Sequence, residues 1–144
     1  MRKRQEYKHQ IEIEHTVAFF ETDAMGVVWH GNYLRLFEIA RETLLRSYNY
    51  DYMRMQENDT IWPVVECFLK HRAFVTYGET VTIRAFILEF ENRLKVGYEI
   101  LKDHHQTLCC HGHTVQVSMN TKTRAINYLS PKSLFDALGE AYPC

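Results

Sequence analysis

At 144 residues, with 46% hydrophobic and 24% charged residues, the chain has the length and composition of one ordinary globular domain, able to bury roughly two thirds of the surface its unfolded form exposes. A formal net charge of -1 argues against the broad basic face of a nucleic-acid binder. No stretch approaches the ~20 apolar residues that cross a bilayer, so no membrane insertion is expected. The basic start M-R-K-R is short, is followed by Glu6, and reads as a solvated terminus rather than an arm for nucleic acid or phospholipid. No apolar segment follows it, so a cytoplasmic location is expected. Cys67, Cys109, Cys110 and Cys144 form no C-x-x-C pair and are expected to be reduced thiols acting as small apolar fillers.

From Gln10 to Phe20 the alternation of Ile11, Ile13 and Val17 with Glu12, Glu14 and Thr16 predicts a strand with one wet side. Asn32 is placed to cap a helix in which Tyr33, Leu36, Phe37, Ala40, Leu44 and Tyr48 recur at helical spacing up to about Ser47. Arg35, Glu38, Arg41, Glu42 and Arg46 occupy its opposite, polar positions. At roughly 16 residues this helix spans ~24 Å, enough to cross a small sheet. Tyr48 to Trp62 is a polar connection with room for a short helix, and Pro63 opens a strand-like run to Phe74. After the turn Tyr77-Gly78-Glu79, Val81, Ile83, Ala85 and Ile87 share one face of a strand. A bend at Glu91-Asn92 leads to a strand from Leu94 to Leu101, and D-H-H-Q-T leads to another from Leu108 to Asn120. Ser130 or Pro131 starts a short terminal helix. A sheet with one dry face needs a cover, and the long helix is the one available. The expectation is an α+β domain in which an antiparallel sheet wraps around one long central helix.

The chemistry gathers in Glu21 to Tyr33, E-T-D-A-M-G-V-V-W-H-G-N-Y. Asp23 lies too far upstream of Asn32 to cap that helix, although an aspartate that merely shapes the loop is the bland alternative. Gly26 permits a positive φ that folds the loop back over the helix start, while Val27, Val28 and Trp29 offer an apolar patch that excludes water. A carboxylate beside the first N–H groups of a helix can attack or activate water, and those N–H groups can hold an oxygen that becomes negative. His30 therefore matters for its backbone N–H more than for its ring. No second histidine stands at ligand spacing here. His104, His105, His111 and His113 allow a surface zinc site but lack a third ligand pattern, so no metal is expected.

At D-A-M-G-V-V-W-H-G-N-Y, continued by L-R-L-F-E-I-A-R-E, the sequence resembles the 4-hydroxybenzoyl-CoA thioesterase family of hot-dog-fold acyl-CoA thioesterases, including its Tol-Pal-associated bacterial branch. The segments W-P-V-V-E, A-F-V-T-Y-G-E-T-V-T-I-R, E-N-R-L-K-V-G-Y-E-I and G-H-T-V-Q-V look like that family's later strands, so the resemblance covers nearly the whole chain. It implies a hot-dog fold, a homodimer or homotetramer with sites at subunit interfaces, and hydrolysis of an acyl-CoA or acyl-carrier-protein thioester. Coenzyme A is then part of the substrate, and no separate cofactor is implied. Carried over, Asp23 matches the catalytic aspartate and the His30 backbone N–H the carbonyl-polarising donor. Gly26, Val28, Trp29 and Tyr33 fall in the substrate-binding stretch. Glu38 lies where a relative meets the far end of the acyl group, Trp62 and Pro63 lie near the acyl pocket, and Arg93 with Lys95 are candidates for the CoA phosphates. Two departures, the glycine-free turn D-H-H-Q-T and the run N-T-K-T-R-A-I-N-Y in place of a T-G ending, set the CoA-facing rim apart from the family's usual pattern. Two other classes stay open: a hot-dog module that binds acyl-CoA or acyl-carrier protein without turnover, and a hot-dog dehydratase, whose differently placed His and acid pair is not found.

Overall fold

The structure, a computed structural model, describes residues 5–143; the basic start and Cys144 lie outside the described residues. Strand β1 covers Gln10–Thr16, and a 3-10 turn at Phe19–Glu21 leads to helix α1, His30–Ser47. Helix α2 covers Tyr52–Glu57, followed by the short β2, Thr60–Ile61, and by β3, Val64–His71. The long strands β4, Thr80–Glu89, β5, Leu94–Lys102, and β6, Thr107–Gln116, come next, then β7, Met119–Asn120, and helix α3, Lys132–Leu138. The main sheet is antiparallel in the order β1-β4-β5-β6-β3, so β1 and β3 are its edges, while β2 and β7 form a separate pair.

The expected antiparallel sheet with one long helix packed on it is the observed arrangement. The helical spacing of Tyr33, Leu36, Phe37, Ala40 and Leu44 puts all five on one buried stripe. Phe37 stacks on Tyr98 of β5 with ring centroids 4.3 Å apart, which locks the helix to the middle of the sheet. Val81, Ile83, Ala85 and Ile87 of β4 are buried, as their alternation predicts. Gly112 in β6 makes this packing possible: a Cβ there would lie 2.1 Å from the Phe68 carbonyl oxygen and 3.0 Å from the Phe37 ring. Cys109 and Cys110 are buried unpaired thiols, pushed up to about 11 and about 12 by burial.

Five expectations need correction, one of them the single strand from Leu108 to Asn120: β6 ends at Gln116, and Met119–Asn120 pairs with β2 instead. The first strand stops at Thr16, because Val17 turns inward and the chain enters the 3-10 turn. Asn32 does not cap α1: Trp29 occupies the cap position, since its N–H is held by the Glu21 carbonyl at 2.9 Å, and the helix begins at His30. Arg41, placed by its spacing on the polar side, has a side chain only 12% exposed. The second face of the sheet is not simply wet, because Arg84 and Phe86 are buried there beneath residues 5–10: Tyr7 stacks on Phe86 at 4.1 Å, and Arg84 bonds to Glu99, the Gln5 carbonyl and Gln10.

Candidate active site

The loop from Thr22 to Trp29 is closed by its own backbone. Asp23 N–H donates to Val27 O at 2.9 Å, and Gly26 N–H returns to Asp23 O at 3.0 Å. Gly26 adopts φ +80°, the left-handed conformation that glycine takes without strain. The Asp23 carboxylate accepts the Met25 N–H on Oδ1 at 2.8 Å. It therefore shapes an Asx-turn as well as facing the cavity described below, and the two readings of this aspartate coexist.

Glu21 joins this loop to α1. Its carboxylate is 1% exposed and takes His15 Nε2 at 2.7 Å and the Ala18 N–H at 2.9 Å, with Arg35 at 3.8 Å. Burial alone would raise its pKa, but those hydrogen bonds and the neighbouring charge outweigh burial and hold the carboxyl below the usual range. Its backbone oxygen accepts both the Trp29 N–H and, at 2.8 Å, the Asn32 side-chain amide. One residue thus pins the loop at one side and the first helical turn at the other.

A helix leaves its first N–H groups without intrahelical acceptors. Here the Trp29 N–H is taken by Glu21 and the Asn32 N–H by Trp29 O at 2.9 Å, which leaves the His30 and Gly31 amides as the donors at the positive end of α1. The Trp29 ring lies over Gly31, where a Cβ would come within 2.3 Å of it. Asp23, Val28, His30 and Tyr33 line a cavity of about 450 Å³, together with His71 at the end of β3 and Phe74 just beyond it. Tyr33 is buried, with its hydroxyl pushed up to about 12 chiefly by burial, so it stays protonated at neutral pH. The His71 ring meets it edge-on at 4.9 Å. A carboxylate, helix N–H donors and mostly apolar walls therefore share one cavity, an arrangement suited to attack on a carbonyl whose oxygen becomes negative.

The other sequence candidates separate from this group. Gly26 shapes the loop, and Trp29 is half exposed; neither lines the cavity. Glu38, Trp62 and Pro63 line a second cavity, of about 580 Å³, between α1 and the connection that precedes β3. Glu38 is exposed and bonds to Arg41 at 2.7 Å. Arg93 lies in the β4–β5 connection, is held by Glu89 at 2.7 Å, and lines neither cavity, while Lys95 sits on the opposite face of the sheet. His111 and His113 share a face, and among the described residues no three His, Cys, Asp or Glu side chains gather as a metal site. Glu21, Gly31, His71 and Phe74 were missed. H-G-N-Y carried a signal for Gly31, since glycine so early in a helix costs stability unless something else needs the space.

The family pattern described as the thioesterase-like superfamily matches residues 17–138. A Bacillus subtilis (strain 168) protein, YneP, named as a candidate acyl-CoA thioesterase, is 32% identical over 93 residues, which are 64% of this chain and 67% of that protein. A candidate esterase of Aquifex aeolicus (strain VF5) is 51% identical over 67 residues, 46% of this chain and 52% of its own length, so the chain spans about half of that relative. Among solved structures, the DHNA-CoA thioesterase from Staphylococcus aureus is similar with a TM-score of 0.80 and 25% identity, over 90% of this chain and 89% of that one. No helix among the described residues is long and apolar enough to cross a membrane. With the family pattern running from Val17, just past β1, to the end of α3, the chain belongs to the thioesterase-like superfamily and has its hot-dog fold.

Proposed function

We propose that this protein hydrolyses acyl-CoA thioesters, as a member of the 4-hydroxybenzoyl-CoA thioesterase branch of its superfamily, with Asp23 as the reacting carboxylate. The observation that carries this reading is the single cavity shared by Asp23 and the N-terminal end of α1. The thioester oxygen would accept the His30 N–H, where the helix end favours the negative charge of the tetrahedral intermediate. Ionised Asp23 would then either attack the carbonyl carbon, forming a mixed anhydride that water cleaves, or take a proton from the attacking water. In both routes the carbon–sulfur bond breaks and the CoA thiolate leaves. The names of the Bacillus and Staphylococcus relatives support acyl-CoA as the substrate class. An acyl-carrier-protein thioester fits the same chemistry. The cytoplasm, where acyl-CoA is made and thiols stay reduced, is the matching location.

The reading includes a second copy of the chain. β3 is an edge strand on which Val64, Val65 and Phe68 are exposed, and an unpaired edge is a template for another strand. Antiparallel pairing of two β3 strands about a twofold axis would set the Val64 end of one against the His71 end of the other. The cavity beside Glu38, Trp62 and Pro63 would then open toward the Asp23 cavity of the second copy.

A panel of acyl-CoAs assayed with a thiol reagent tests the activity. Asp23→Asn should lower kcat by about 10² to 10⁴ while leaving the fold intact. Turnover close to that of the parent protein in this variant would refute the assignment, and binding without any turnover in the parent would make the protein an acyl-CoA binding module. Single-turnover hydrolysis in labelled water separates the two routes, since label found in Asp23 rules out a purely general-base role.

A further inference from the structure

The lining of the Asp23 cavity comes from two stretches, residues 23–33 and 71–74. The first supplies the carboxylate and the helix N–H groups, and nothing in the acyl transfer above uses the second. His71 is the last residue of β3, and the alternation of the strand puts it on the face of Leu69, which packs against the core. Its backbone is held firmly: His71 pairs with Cys110 of β6, and the next two N–H groups, of Arg72 and Ala73, both donate to the Cys109 carbonyl, at 2.7 and 3.1 Å. The edge-on contact with Tyr33 then orients the imidazole in the cavity. Among the described residues neither ring nitrogen has a hydrogen-bond partner, and the residue is exposed, so water reaches it.

We propose that His71 is a second catalytic residue, the general base for the water that cleaves the Asp23 anhydride; this rests on the hydrolytic reading above and makes Asp23 the nucleophile. Once the CoA thiolate has left, the acyl group is joined to Asp23 through one carboxylate oxygen. The imidazole takes a proton from a water as the water oxygen bonds to the carboxyl carbon of Asp23. The bond from that carbon to the bridging oxygen breaks, and the acid leaves as a carboxylate that keeps the bridging oxygen. Asp23 is left protonated, and it and the imidazolium pass their protons to the thiolate and to solvent. Asp23 cannot be the base in this step because it is acylated, and histidine is the side chain that exchanges a proton between pH 5 and 8. The other titratable or charged groups around the ring are Asp23, His30, Tyr33, Arg72, Cys109 and Cys110, with Glu79, which is paired to Lys102, near Tyr33. Burial keeps the Tyr33 hydroxyl and both thiols protonated, at about 12, about 11 and about 12. A guanidinium has no acceptor for a proton. His30 stands at the N-terminal end of α1, which opposes the positive charge that a base acquires.

Steady-state and rapid-quench kinetics of the full chain and of His71→Gln, with octanoyl-CoA and with benzoyl-CoA, test this role. In His71→Gln the first CoA per chain should be released at the parent rate, while later turnovers slow by about 10² or more. Then kcat and KM fall together and kcat/KM stays within about twofold, a split that loss of a merely structural contact does not produce. Intact-mass measurement of the quenched variant should find the acyl group on the chain, and peptide mapping should place it on Asp23. In the parent kcat should rise from pH 5 to pH 8; that rise should be absent from His71→Gln and kept in His30→Gln. Free imidazole should restore part of the turnover of His71→Ala. A kcat in His71→Gln within about threefold of the parent, a first turnover slowed as much as the later ones, or a parent kcat that is flat from pH 5 to pH 8 overturns the proposal. Should His71→Gln not fold, His71→Asn and the parent pH profile carry the same test. Cleavage that His71→Gln leaves unimpaired removes the role of His71 alone, whereas a parent that cleaves no acyl-CoA removes the hydrolytic reading and this role with it.

Discussion

The side-chain amide of Asn32 and the main-chain N–H of Trp29 converge on the same oxygen, the carbonyl of Glu21, at 2.8 and 2.9 Å. Asn32 thus secures the start of α1 from inside the helix. Asn32→Ala should cost about 1 kcal/mol of stability, the usual worth of one such bond, and lower kcat by roughly tenfold with little change in KM, because the N–H groups proposed to hold the oxyanion lose their anchor. Asn32→Asp should be worse, since its carboxylate cannot donate and faces the same carbonyl. Thermal melts and steady-state kinetics on the two variants check this order.

Glu21 makes the fold sensitive to acid in a defined direction. Its carboxyl titrates below the usual range in the folded chain and near pH 4.3 in the unfolded one. The stabilisation it gives is therefore complete above the unfolded value and disappears as pH falls through the folded one. Between about pH 5 and pH 3 the melting temperature of the parent protein should fall more steeply than that of Glu21→Gln, which should start lower at neutral pH. Parallel curves would show that Glu21 carries no such linkage.

Gly112→Ala should damage the sheet itself. Its new Cβ would press on the Phe68 backbone at 2.1 Å, and a carbonyl held in the β3–β6 ladder cannot turn aside as a side-chain end can. Overpacking of this kind costs about 3 kcal/mol, roughly a 10 °C drop in melting temperature for a chain of this size. A change below about 2 °C in calorimetry would mean that β3 shifts freely.

A second copy across β3 predicts a dimer or larger assembly in light scattering. Val65 lies at a bulge between Val64 and Glu66, so Val65→Lys charges the edge without breaking the ladder to β6. The variant should run as a monomer and lose about tenfold or more in kcat/KM. A fully active parent monomer would end the idea.

What the sequence disclosed, it disclosed locally. The stripe from Tyr33 to Leu44 could be read because helical spacing alone decides which side chains meet the sheet, and Gly26 could be read because a tight loop needs its positive φ. The helix start could not. Asn32 looks like a better cap than Trp29, and only the distant Glu21 carbonyl makes Trp29 the first anchored residue. The part of the Asp23 cavity lining from His71 to Phe74 was hidden for the same reason, since its place depends on β3 pairing with β6. Arg41 reads as a solvent charge on the helix, yet β6 and the connection before β3 close around it.

The Asx-turn at Asp23 leaves the two oxygens of its carboxylate unequal. The Met25 N–H engages Oδ1, so Oδ2 is the atom left to a substrate or a water. A carboxylate tethered at one oxygen cannot freely exchange its two ends. If Asp23 is the nucleophile, repeated turnover in heavy water-oxygen should leave one label in each chain and then stop, whereas an aspartate free to rotate would go on to take up a second.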